Sequence, residues 1–170
     1  MRIREILILF IILSPFSLEA EPRENSSEIY KQGAELARGG NINEAIPLFQ
    51  KAVALSPYWA LARYALGKSY LSAKIPDNLN LGLKELKMAA DLDKNSADAW
   101  FYLGMAYYLK KDYPHAITSY YQAYTIDDTY IAALYNIGSV YDLMGHSAKA
   151  VLFYKRYLDA KAREEEYFKY

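Results

Sequence analysis

The sequence predicts an all-α protein built as a stack of four helix-turn-helix repeats. Three observations carry this expectation. Gly33, Gly67, Gly104 and Gly138 are spaced by 34, 37 and 34 residues. Large residues recur in phase with them, first as Leu36, Tyr70, Tyr107 and Tyr141, then as Phe49, Leu86, Tyr120 and Tyr154. Within the third unit, Trp100, Leu103, Gly104 and Tyr107 fall at i, i+3, i+4 and i+7, one stripe of an α-helix.

The first twenty residues differ in kind from the rest. Arg2 and Arg4 give a positive start, Ile6 to Leu13 is unbroken apolar sequence, and a short polar stretch ends on Ala20. This is the layout of a secretory signal peptide, predicted to occupy residues 1–20 and to be removed. A helix from Ile6 to Leu18 would span only about 20 Å of a roughly 30 Å hydrocarbon core, and Pro15 would break it, so a retained anchor is the weaker expectation. Residues 21–25 then form a short linker.

Four repeat units follow, at 26–59, 60–96, 97–130 and 131–164, with a polar end at 165–170. Small residues recur where two helices must meet: Ala45, Ala116 and Ala150, with Gly82 taking that place in the second unit because three residues are inserted before it. Ala52, Ala89 and Ala123 complete the second-helix pattern. Turns are signalled by Gly39–Asn41, by Lys111–Pro114 and by Gly145–Ser147. Pro47 is expected near the start of its helix, where a missing N–H costs least. One hairpin cannot bury its own apolar face, so neighbouring units must supply the core. The larger Tyr157, in place of a small residue, and the run Arg163 to Glu166 suit a last helix that caps the stack.

Trp100, Leu103, Gly104, Tyr107, Ala116 and Tyr120, with Pro57 closing the first unit, resemble the tetratricopeptide repeat signature. The resemblance covers essentially all of the chain after the leader and implies a right-handed α-solenoid. Arg63 and Gln32 depart from it by standing where large apolar residues are usual, and Lys94 and Asp128 by replacing the proline. The family's fold implies that the first helices line a concave groove that holds a peptide. The column implied to face it reads Tyr30, Tyr64, Phe101 and Tyr135. Further along the same helices stand Ala34, Lys68, Met105 and Ser139, then Ala37, Leu71, Tyr108 and Asp142, with Asn136 beside them. These rings equally suit packing against the neighbouring helix. The family's clamp for a carboxylate-ended chaperone tail needs a set of Lys, Arg and Asn, of which only Lys68 and Asn136 are present.

Composition excludes several other classes. The 170 residues hold 20 Lys+Arg against 20 Asp+Glu, so nothing electrostatic points to nucleic acid. With 53% hydrophobic residues a sizeable core is available, and the absence of cysteine removes disulfides and thiol chemistry. His115 and His146 both fall at turns, and the pairs Asp91/Asp93 and Asp127/Asp128 fall at corners between repeats, where solvation and capping explain them. No catalytic, cofactor or metal set is expected, and the chain is read as a non-enzyme. The leading expectation is an exported scaffold, periplasmic or secreted and most readily of a bacterial envelope, that binds a protein or peptide partner. A self-stacking structural module and a carbohydrate-binding protein are the alternatives.

Overall fold

The computed structural model describes residues 25–73 and 78–167. The leader and most of the linker lie outside these residues, as do four positions of the long turn in the second unit and the last three positions of the chain. Eight helices form among the described residues: α1 (Ser26–Arg38), α2 (Ile42–Leu55), α3 (Ala60–Ser72), α4 (Asn78–Leu92), α5 (Ala97–Leu109), α6 (Tyr113–Ile126), α7 (Ile131–Leu143) and α8 (Ser147–Tyr167). None is long and apolar enough to cross a membrane. The helices pair as α1 with α2, α3 with α4, α5 with α6 and α7 with α8, and each pair stacks on the next.

Local chemistry sets where the helices start and stop. Asn25 and Ser96 cap α1 and α5, their side chains accepting from the Ser27 and Ala99 amides. Three of the hairpin turns pass through a left-handed residue, at Gly40 (φ 85°), Lys111 (φ 61°) and Gly145 (φ 75°). Glycine adopts that conformation freely, whereas Lys111 does so under strain. Pro47 corrects the expectation drawn from the sequence. It is the sixth residue of α2, beyond the first turn, so its missing N–H removes a regular helical bond. Pro114, at the start of α6, is the proline that sits where the N–H is dispensable.

The recurrent glycines have one physical cause. A Cβ on Gly33 would lie 3.0 Å from the Phe49 ring, one on Gly104 2.7 Å from the Tyr120 ring, and one on Gly138 2.8 Å from the Tyr154 ring. The first helix must be bare where the second helix of the hairpin presents its large residue. In the second unit Gly67 faces Leu86 and the Gly82 carbonyl, so two glycines bring α3 and α4 together backbone to backbone.

The core is a row of clusters at the joints between hairpins. Ala45, Phe49, Ala65, Leu66 and Tyr70 join the first two, Leu86, Ala89, Ala99 and Leu103 the next, and Ala116, Tyr120, Ala133 and Ile137 the last. Arg63, in a position usually large and apolar, is buried with them. Its Nε donates to the Pro57 carbonyl at 2.6 Å, and Nη1 meets Glu85 of α4. The first helices also approach one another, α1 to α3 and α3 to α5, and the second helices make no comparable approach. The stack therefore curves with its first helices on the inner side.

Candidate functional site

The inner side is paved with rings, each held by a different neighbour. Tyr30 on α1 is half-buried, its ring 4.9 Å from that of Trp59 and 5.6 Å from that of Phe49. Tyr64 on α3 lies 5.7 Å, edge to face, from Tyr102 on α5. Phe101 packs against Tyr102, Tyr120 and Tyr130. Tyr135 on α7, half exposed, leans on Tyr154 and Tyr157 of α8. Every ring of the column thus has a structural contact, and each retains some exposed surface.

The other expected residues divide. Lys68 stays on the inner side, its Nζ 4.8 Å from the Tyr102 ring centroid and 5.7 Å from that of Tyr64. Asn136 is half-buried on α7, and Asp142 is exposed near its end. Met105 and Tyr108 are partly buried against the cluster that α6 and α7 share, Ala116, Tyr120, Ala133, Ile137 and Val140. Leu71 packs into its own hairpin, beside Gly82 and the Leu86 cluster.

Three residues of the site were not singled out from sequence. Asp98, at the start of α5, accepts a hydrogen bond from the Tyr130 hydroxyl at 2.6 Å and one from the Tyr64 hydroxyl at 3.2 Å, both on Oδ1. Tyr102 supplies the ring that Tyr64 and Lys68 share. Burial, followed by the Asp98 charge, pushes the Tyr64 phenol far above its ordinary range. Burial and the bond to Asp98 do the same for Tyr130. Asp98 was legible, since it lies three residues before Phe101 on the same helical face, and Asp98, Phe101, Met105 and Tyr108 form one stripe.

Two openings interrupt the paving. Between α1 and α3 a cavity of about 330 Å³ has Tyr30, Ala34, Ala37, Phe49 and Tyr64 in its walls and Arg38 and Lys68 among its lining. Near the start of α5 a cavity of about 430 Å³ is lined by Asn95, Ser96, Asp98, Asp127 and Tyr130. Hydrogen bonds from Thr129 hold the Asp127 carboxyl below its ordinary range. Among the described residues no group of three His, Asp or Glu gathers to hold a metal. His115 stacks on Tyr107 at 5.0 Å with Nδ1 2.8 Å from Asp112, and His146 lies edge-on to Tyr141, so both histidines serve turns. The inner side can hold apolar and aromatic groups and orient charge, and among the described residues it presents nothing arranged to break a bond.

Models of the tetratricopeptide repeat match residues 80–131 and 131–164, which together make half of the chain. The chain belongs to the tetratricopeptide repeat family. As a member it is a protein–protein interaction scaffold and not an enzyme. It is similar to a solved structure of the tetratricopeptide protein MamA, with 28% identity and a TM-score of 0.80 over 88% of this chain and 85% of that one. A Thermus thermophilus tetratricopeptide protein shares the fold at 20% identity and a TM-score of 0.64, over 89% of this chain and 85% of that one. So does the first tetratricopeptide domain of Spaghetti (RPAP3), solved with the HSP90 peptide SRMEEVD, at 15% identity and a TM-score of 0.67, over 71% of this chain and 94% of that one. No curated protein matches the chain significantly in sequence.

Proposed function

We propose that this tetratricopeptide protein is an exported adaptor that holds a peptide or helical segment of a protein partner along its inner, aromatic side, in envelope assembly or secretion. The observation that carries the groove is the column Tyr30, Tyr64, Phe101 and Tyr135, one ring per hairpin, each anchored on one side and exposed on the other. Anchored rings lose little freedom on binding, so they offer contact area at low entropic cost. A solved relative of the same fold carries a peptide, which supports the mode without naming the partner. The export reading rests on the basic and then apolar run from Arg2 to Leu13.

The groove is tested by capture of partners from the native host with protein carrying Tyr135→Ala, Asn136→Arg and Asp142→Lys, which leaves Lys68 in place. These residues are half-buried or exposed, so the fold should survive. Loss of the partners bound by the native protein is expected. Retention of all of them by the folded triple variant would sink the groove. Export is tested by fusing residues 1–25 to a reporter active only outside the cytoplasm, and an inactive but intact fusion overturns it.

A further inference from the structure

We propose that the cavity between α1 and α3 is a subsite for an apolar side chain carrying, or flanked by, a carboxylate on the partner. The cavity follows from two alanines. Along the inner side, Ala34 and Ala37 of α1 stand where α5 carries Met105 and Tyr108. In the later joint those two large side chains pack on the cluster that α6 and α7 share. In the first joint no described side chain fills it, and about 330 Å³ stays open, within the range of sites that hold small groups.

The walls are apolar and the charge at the mouth has one sign. Arg38 and Lys68 line the cavity, and among the described residues no carboxylate does. Glu35 faces Arg38 from one turn back, but both side chains are about 70% exposed and both contacts use Nη1 alone. A surface pair of that kind is weak and leaves guanidinium donors for a ligand. Lys68 rests on the rings of Tyr64 and Tyr102, and its bond to the Tyr64 hydroxyl is long at 3.4 Å, so its ammonium can turn to an anion at small cost. The opening beside Asp98 and Asp127 has the opposite sign, with no cation in its lining among the described residues. An acidic ligand is therefore drawn to the first joint and repelled from the third.

This names the ligand chemistry of the groove proposed above and rests on it for the biological partner, but its binding chemistry can be read alone. The experiment is an amide-resolved NMR titration of the full chain with 3-phenylpropionate, with 3-phenylpropylamine as the cation of matching shape. Saturable shifts at Ala34, Ala37 and Ser69 are expected with the carboxylate, and binding about tenfold weaker with the amine, roughly what one partly screened charge contact gives. The variant Ala34→Met/Ala37→Tyr, which copies α5, should stay folded and lose the shifts, and Lys68→Glu should reverse the preference. Absence of saturable shifts at these amides, or equal binding of the amine, overturns the subsite. Partner capture by the groove variants is unaffected by that outcome, so the two readings fail separately.

Discussion

The Arg63 guanidinium meets the Glu85 carboxylate at 2.5 Å, with side chains only 9% and 13% exposed, so α3 and α4 are tied by an ion pair inside the second hairpin. Desolvating both charges offsets most of their attraction, but stranding one is severe. Glu85→Ala should lower stability to urea by about 3–5 kcal/mol, and Arg63→Leu/Glu85→Leu should recover most of that loss. Equal destabilisation by the single and double variants would mean that the packing, and not the charge, is at stake.

Gly67 tests the closest helix approach. A Cβ there would sit 2.6 Å from Leu86 Cγ and 3.1 Å from both the Gly82 oxygen and the Leu86 nitrogen, and backbone cannot swing aside as a side chain can. Gly67→Ala should cost about 1–3 kcal/mol by overpacking. Gly33→Ala, whose nearest neighbour is a ring atom at 3.0 Å, should cost less in the same denaturation series.

The left-handed turn residues give a prediction of each sign. Lys111 holds φ 61° where Gly40 and Gly145 hold 85° and 75°. Lys111→Gly should stabilise by about 0.5–1 kcal/mol, the relief of strain less the entropy glycine adds to the unfolded chain. Gly40→Ala should destabilise by about 1 kcal/mol, although nothing lies within 4 Å of its Cβ position. Thermal midpoints of the two variants, moving in opposite directions, check both.

Alkaline pH should unfold the chain through its tyrosines. Burial raises the phenols of Tyr64, Tyr120 and Tyr130, and the Asp98 charge raises Tyr64 and Tyr130 further. The folded state keeps protons that the unfolded chain releases near pH 10, so this contribution to stability is complete below about pH 10 and is lost as pH climbs above it. Phenolate absorbance should rise in two phases, the later one coinciding with loss of helical circular dichroism. A single early phase with the helices intact would contradict it.

The repeat was legible because a bare position facing a large one must recur wherever the same hairpin recurs. Gly104 and Tyr120 announce each other at sixteen residues, as do Gly138 and Tyr154. Arg63 was visible as a departure, but its partner was not, since Glu85 lies across a lengthened turn that breaks the spacing. The groove column was legible as a face, while its division into filler and lining was not. Whether Met105 is partly buried depends on how α6 and α7 lie beside it, a placement that no helical period contains. Pro47 misled because proline near a predicted start reads as first-turn, and the start lies five residues earlier.

One oxygen, Asp98 Oδ1, receives hydroxyls from α3 and from the residue that opens α7 while belonging to α5 itself. Three of the four hairpins are thereby pinned at a common point, and the first hairpin, α1 with α2, takes no part in it. The middle of the inner face is set before any partner arrives, so a ligand that docks there orders little. Most of the conformational cost of association then falls on the first hairpin, and affinity should be won or lost at the end of the bound segment that reaches it more than along the rest.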